Sequence, residues 1–578
     1  MTTNLQQAVD IHYPELDEAL AGLAHKKTEW PRVGVADRIA ILAEIKECLM
    51  PVAEDWALTA SRKKGIPAGS PLEGEEWLSG PYSLMAYCNA LMDTLSKVAD
   101  KRHLEGLPMR ELPNGQLAVK VVPHTVWDRL LLSGVSAEVW MQPGVNRGNL
   151  ARHTASAYES GNPRRGKLAL VLGAGNISSI APLDCLYKLF AEHQVALLKM
   201  NPVNEYLIAF LEPALKPLIA RGYLRIVRGD TAIGQYLCNH PLVEEIHITG
   251  SGAAHDAIVW GTGAEAAANK AAGTPKNRRR VTSELGAVCP TIVVPGPWNA
   301  ADIAFQAEHI ATQKLHNAGF NCVACQVLVM PGEWESRQAL LDQVRKTIAA
   351  STPRPLYYPG TEQRLAGFRS ALTGHALEPC GDTSQCAVAS FAAGACSGIE
   401  EQEIFGPALS VTELPGRDPE AFLIRAIDYA NRHLHGTLGA NILIHPATMR
   451  VIGRKRFEEI LAGLHYGCIA INAWTGLGFL SAPTPWGAFP GHSLQDVQSG
   501  IGFVHNTMLF DRPERTVLEA PFTPYPRNLA RLNFSMLPRP PWFITNRRAA
   551  TLGRLLTRFQ YRPAVSKLPR LFVNALRG

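Results

Sequence analysis

With 578 residues, 46% of them apolar, the chain exceeds what one hydrophobic core usually covers, and a folded protein of two or three domains is expected. No apolar run approaches the roughly 20 residues of a membrane-spanning helix, the opening MTTNLQQAVD lacks the basic and apolar regions of a signal peptide, and eleven scattered cysteines fit a reducing compartment; a cytoplasmic location is expected. The net charge of +6 is uneven, because residues 521–578 hold eleven Arg or Lys and no Asp or Glu, which leaves 46 basic against 51 acidic residues in the body.

Residues 1–105 read as a helical layer, with helical spacing of apolar residues over 37–49 and 77–101. From Leu107 the pattern turns to strands, and Pro113, Asn114 and Gly115 form a hairpin turn suited to an oligomer contact or a surface flap. Between 167 and 251 strands and helices alternate: a strand to 173, a helix over 182–193, strands at 195–199, 224–227 and 245–249, and helices ending at 220 and 239. Such alternation predicts an α/β fold with a parallel sheet covered on both faces. Ligands of these sheets bind at the carboxyl ends of the strands, where residues 173–176, 199–202 and 249–251 fall. Residues 252–278 read as an Ala/Gly-rich helix and then a basic excursion. A second α/β pattern runs from 280 to about 471, with strands near 291–294, 326–330, 408–412 and 439–444. After about 506 comes a tail with a Pro-rich stretch at 538–542 and a helical pattern beyond it.

Cys322 lies in Asn317-Ala318-Gly319-Phe320-Asn321-Cys322, between a helical pattern and a strand. A cysteine on such a glycine-containing loop is placed to be a nucleophile, although a lone cysteine is more often structural. Glu284 is a candidate general base and Asn176 a candidate oxyanion donor; read singly, each is equally a strand-end charge or a turn residue. Cys322 with Cys325 also fits a redox pair, whereas a zinc site would need a second pair and Cys380 with Cys386 has the wrong spacing. No metal is expected.

In order along the chain, Gly175-Asn176, Lys199, Gly229 with Gly234, Thr249-Gly250-Ser251, Glu284-Leu285-Gly286, Asn317-x-Gly319-x-x-Cys322, Glu403-Ile404-Phe405-Gly406-Pro407, Pro485-Trp486-Gly487 and Ser499-Gly500-Ile501-Gly502 resemble the aldehyde dehydrogenase superfamily. The resemblance spans about residues 168–502. It implies a Rossmann-type cofactor domain and an α/β catalytic domain, divided here as a helical layer at 1–105, an NAD(P)-binding domain at 106–284, a catalytic domain at 285–472, a return to the cofactor domain at 473–506 and a basic extension at 507–578. It implies oxidation of an aldehyde with NAD or NADP through a Cys322 thioester hydrolysed with Glu284 as base, and an oxyanion held by Asn176. Lys199 and Glu403 would hold the two riboses, Phe405 would pack beside the nicotinamide ribose, Gly250 and Ser251 would face the pyrophosphate, and Gly229 would border the cofactor. A homodimer or homotetramer with no nucleic-acid partner is implied as well.

The sequence departs from the family in four places. Phe320-Asn321 replaces a common Gln before the cysteine, Pro202 stands where a ribose-binding Glu is common, His255 replaces a glycine, and about eleven extra residues lie between Ser251 and Glu284. Two rival readings are a CoA-acylating relative, against which Glu284 speaks, and a catalytically silent scaffold, against which the retention of Glu284, Cys322 and Asn176 together speaks. In the tail, 545–559 places Ala549, Leu552, Leu555, Leu556 and Phe559 on one helical face and Arg547, Arg554 and Arg558 on the other. Docking on the acidic body and peripheral contact with an anionic membrane both follow from that pattern. Some aldehyde dehydrogenases that act on fatty aldehydes have C-terminal segments for membrane attachment or substrate gating, so the resemblance implies a long-chain or apolar aldehyde.

Overall fold

The structure is a computed structural model that describes residues 13–159, 165–372, 377–380 and 386–578; the opening segment on which the signal-peptide reading rests lies outside them. Two sheets organise the molecule. The smaller has six strands in the order Gly500–Ile501, Arg280–Leu285, Glu245–Gly250, Leu168–Leu172, Val195–Lys199, Leu224–Val227. All neighbours are parallel except the short first strand. Runs such as Leu168–Leu172 and Val195–Lys199 are nearly all apolar because helices cover both faces of the sheet. The helix Ile180–Phe190 packs on one face, the helices Ile208–Ala214 and Val35–Lys63 belong to the same core, and the parallel order expected between 167 and 251 is present.

The larger sheet has eleven strands. Its centre is parallel and runs through Cys468–Ile471, Gly439–Leu443, Cys289–Val293, Cys325–Pro331 and Ala408–Leu414, which contain the four strands expected after residue 280. One end is antiparallel: the hairpin Met109–Glu111 and Leu117–Val122, then Ser136–Met141, then Pro513–Glu519, which in turn pairs in parallel with Cys468–Ile471.

The architecture departs from the sequence reading in three places. Residues 109–141, grouped with the 106–284 unit, belong to the larger sheet. Residues 513–519, grouped with the extension, form an interior strand of that sheet. Its charged opening pair hid it: the Arg515 guanidinium is buried, bonds Glu514 and lies 4.7 Å from the Phe489 ring. The single helix expected over 77–101 is broken at Gly80-Pro81 into Glu73–Trp77 and Ser83–Ser96, since proline has no N–H to continue the ladder.

The basic tail helix, Ala549–Tyr561, is docked on its own chain. Leu552 and Phe559 are buried, and the helix packs against Glu73–Trp77 and Val35–Lys63. Arg554 and Arg558 face Glu54 at 3.6 Å, and Arg562 faces Glu47 at 3.3 Å. The apolar face offered in the sequence reading to a membrane is therefore covered by the protein, and no described helix is long and apolar enough to cross one. The approach depends on two glycines, because a Cβ at Gly553 would stand 2.6 Å from the Trp77 Cβ and one at Gly74 would stand 2.4 Å from the Ala549 carbonyl carbon. Gly553→Leu should undock the tail at a cost of about 1–3 kcal/mol, read as faster tryptic cleavage within 547–577 while the rest of the chain stays resistant; an unchanged cleavage rate would contradict this packing.

Candidate active site

The carboxyl ends of the parallel strands open onto a cavity of about 690 Å³. Each strand end delivers a side chain expected there: Asn176 after Leu168–Leu172, Lys199 at the end of Val195–Lys199, Gly250 and Ser251 after Glu245–Gly250, and Glu284 near the end of Arg280–Leu285. Cys322, Glu403 and Phe405 complete the far wall from the larger sheet. Gly229 does not line the cavity, although its neighbour Asp230 and Gly234 do. Its N–H donates to Glu205, and its φ of 152° sets a turn against Ile233 that a Cβ would block at 2.5 Å.

At the inner end the Cys322 thiol donates to Glu284 Oε1 at 3.3 Å. Burial, followed by the nearby Glu284 charge, raises the thiol well above its ordinary range, so it rests protonated. Burial, reinforced by Asp184, pushes Glu284 up to about 7; a carboxyl held there exchanges a proton near neutral pH. The Asn176 amide nitrogen donates to the Phe320 carbonyl at 3.0 Å, which leaves its second N–H free of that bond.

The cavity fits a nicotinamide dinucleotide. Glu403 Oε1 is buried beside it with no protein hydrogen-bond partner, burial pushes that carboxyl up to about 8, and the unpartnered oxygen is left to a ligand's hydroxyl groups. Gly286 makes room for it, because a Cβ there would fall 1.7 Å from Glu403 Oε2. Ser251 caps the helix Gly252–Val259 through the Ala254 N–H, and Gly250, Ser251 and Ala254 line the cavity, which puts the start of this helix at the cavity wall, where an anion is favoured. Lys314, fully buried, donates to the carbonyls of Gly406 and Ala408 at 3.0 and 2.8 Å and fixes the turn that presents Phe405 at φ 46°.

Lys64, Tyr358 and Arg364 had no signal in the sequence. Lys64 Nζ bonds Glu76 at 2.7 Å, the Asn176 carbonyl at 2.8 Å and Asn317 Oδ1 at 3.1 Å, although it comes from the N-terminal helical layer. Tyr358, Arg364 and Lys276 line the cavity; Lys276 belongs to the basic excursion and pairs with Glu265. Phe320 lies in an aromatic group with Tyr357, Tyr358 and Phe405, and Trp474 donates to the Val323 carbonyl at 3.2 Å, while Trp486 is buried. Cys322 and Cys325 are both free and pack in separate apolar clusters, which does not bear out the redox pair. Among the described residues no group of His, Cys, Asp and Glu is arranged to hold a metal.

Residues 202–353 match the model of the aldehyde dehydrogenase family. That segment holds Pro202, Gly229, Gly250, Ser251, Glu284 and Cys322; Asn176, Lys199, Glu403 and Phe405 lie outside it. The fold matches an aldehyde dehydrogenase from Mycobacterium tuberculosis complexed with NAD+ at TM-score 0.59 and 17% identity, covering 88% of this chain and 90% of that one. An NAD-dependent aldehyde dehydrogenase from Sinorhizobium meliloti matches at TM-score 0.57 and 18% identity, covering 87% and 86%. An NADP-dependent glyceraldehyde-3-phosphate dehydrogenase from Bacillus halodurans C-125, complexed with NADP, matches at TM-score 0.56 and 17% identity, covering 87% and 91%. Residues 202–353 thus resemble the aldehyde dehydrogenase family, and the chain has the fold of these enzymes.

Proposed function

We propose that the protein oxidises an apolar aldehyde to the carboxylic acid, with Cys322 as nucleophile and Glu284 as the base that serves it. The observation that carries this reading is the contact of the Cys322 thiol with Glu284 Oε1 at 3.3 Å, at the inner end of a cavity shaped for a dinucleotide.

Glu284 takes the thiol proton as Sγ attacks the carbonyl carbon. The oxyanion that forms is held by the free N–H of Asn176 and the Cys322 backbone N–H, at about 3–4 kcal/mol per donor. Glu403 would hold the ribose and Gly250 with Ser251 the pyrophosphate of a nicotinamide dinucleotide, which would supply the acceptor for the hydride. Glu284 then removes a proton from the water that attacks the thioester, the C–S bond breaks, and the acid leaves. A carboxylate in this position favours transfer to water over transfer to CoA. Support for an apolar substrate comes from a second cavity of about 260 Å³ whose lining includes Leu78, Tyr82, Leu477, Leu480 and Leu556, all packed in the apolar cluster that Cys322 adjoins.

Cys322→Ala should abolish turnover while NAD(P) binding, followed by fluorescence, persists. Glu284→Gln should keep a burst of about one equivalent of reduced cofactor per site and lose steady turnover by about 100-fold or more. In the parent, the base works only when ionised. With Glu284 raised to about 7, steady turnover should rise with pH up to that value and level off above it; turnover that is flat on the acid side, or a Cys322→Ala variant that turns over normally, contradicts the mechanism.

Cofactor choice follows from Pro202, which lines the cavity near Lys199 where a carboxylate would face a 2′-phosphate. Pro202→Glu should lower kcat/KM with NADP by about tenfold more than with NAD, a difference of about 1.4 kcal/mol. An equal loss with both cofactors would show that the phosphate lies elsewhere.

A further inference from the structure

Glu284 handles a proton twice in each turnover, and the side that is not buried faces the cavity that a cofactor would fill, so the proton needs a way out behind it. Behind it a polar ladder crosses an interface that is otherwise apolar. On one strand stand Glu284, Thr282 and Arg280, alternate residues on one face; on the adjacent parallel strand their register partners are Thr249, His247 and Glu245. The helix Ile180–Phe190 and the residues just after it cover this face with Asp184, Lys188 and Glu192, spaced one turn apart.

The contacts are continuous outward from Asp184. Thr249 Oγ1 donates to Asp184 Oδ2 at 2.9 Å, and His247 Nε2 lies 3.4 Å from the same oxygen. His247 Nδ1 meets Thr282 Oγ1 at 2.9 Å, and Lys188 Nζ reaches that hydroxyl at 3.1 Å and Glu192 at 2.6 Å. Arg280 bonds Glu192 and Glu245 at the outer rim, where the Glu192 side chain is 14% exposed while that of Lys188 is 1%. At the inner end the Trp486 indole lies beside the Glu284 carboxyl, Asp184 Oδ1 is buried with no protein hydrogen bond, and Thr249 stands between their elements as the neighbour of one and the donor to the other. His505 approaches Asp184 Oδ1 to 3.9 Å, and Tyr87 packs edge-on against the His505 ring. Burying this many polar groups beneath an apolar helix is costly unless each is used.

We propose that this ladder conducts the proton of each turnover from Glu284 to the surface, with Asp184 as first acceptor and His247 as the relay. The proposal rests on Glu284 acting as the base. The proton leaves the Glu284 carboxyl for Asp184, and the Asp184 carboxyl passes one to His247 Nε2. His247 releases the proton on Nδ1 to Thr282 Oγ1. Thr282 passes its own proton to Lys188, which has yielded one to Glu192. One proton enters at Glu284 and one leaves at Glu192, and only O–H and N–H bonds are exchanged. Asp184, His247 and Thr282 are positioning and relay residues; none of them lines the cofactor cavity.

The test compares Thr282→Val, His247→Gln and Asp184→Asn with the parent and Glu284→Gln in stopped flow, reading the reduced-cofactor burst, the steady rate per burst equivalent, and proton release with an indicator dye in H2O and D2O. The burst amplitude counts folded, acylating sites, so a partly misfolded variant remains interpretable. Thr282→Val and His247→Gln should keep the burst, lower the steady rate per site by about tenfold and enlarge its solvent isotope effect, with proton release lagging the burst. A steady rate within about twofold of the parent for both variants, with an unchanged isotope effect, overturns the relay. Normal steady turnover by Glu284→Gln would instead overturn the base on which it rests.

Discussion

Asn317, Ala318 and Gly319, just before Cys322, hold φ of 54°, 55° and 83°, and two of the three lack the freedom of glycine. About 1 kcal/mol or more of backbone strain per residue is held in place by two buried ion pairs. Glu75, paired with Arg354 at 2.6 Å, accepts the Asn317 N–H at 2.9 Å. Lys64, paired with Glu76, binds Asn317 Oδ1 and the Asn176 carbonyl together. Removing one member of such a pair leaves an uncompensated buried charge, at a cost of about 3–5 kcal/mol. The lock therefore ties the loop of Cys322, more than 240 residues away in sequence, and Asn176, 112 residues away, to the helical layer, and the geometry at Sγ depends on it.

Two further carboxyls, Glu284 and Glu403, sit in the same cavity. Glu284 and Glu403 are raised by burial to about 7 and about 8, one beside a thiol and the other facing open space with Lys314 and Arg364 behind it. Their contacts differ rather than their titration: Glu284 Oε1 accepts the Cys322 thiol, whereas Glu403 Oε1 has no protein hydrogen-bond partner, which is why the proposed mechanism gives acid–base work to the first and cofactor binding to the second.

Much of this arrangement was legible in the sequence because it follows chain order. The βα alternation from 167 to 251 fixed which loops meet at the strand ends, and Asn176, Lys199, Gly250, Ser251 and Glu284 all face one cavity as a result. Gly229 was misjudged for a local reason, since its positive φ serves a turn while the next residue lines the site. Lys64, Glu75 and Arg354 were invisible because their partners lie far along the chain, and an isolated charge on a helix reads as solvated. The strand Pro513–Glu519 was missed because Glu514 and Arg515 satisfy each other and so bury a charge pair where periodicity expects apolar side chains. The polar ladder behind Glu284 was hidden differently: its alternate positions belong to strands whose other face is apolar, and only register brings Thr249, His247 and Thr282 to one line.

The central claim, that Cys322 carries the acyl group and Glu284 releases it, is tested most directly by acid-quenching Glu284→Gln with aldehyde and NAD(P) and mapping the trapped adduct by mass spectrometry. An acyl mass on the peptide containing Cys322, absent without the cofactor, is the predicted result. A trapped acyl group on any other residue, or free acid at the parent's rate with no adduct, would contradict it.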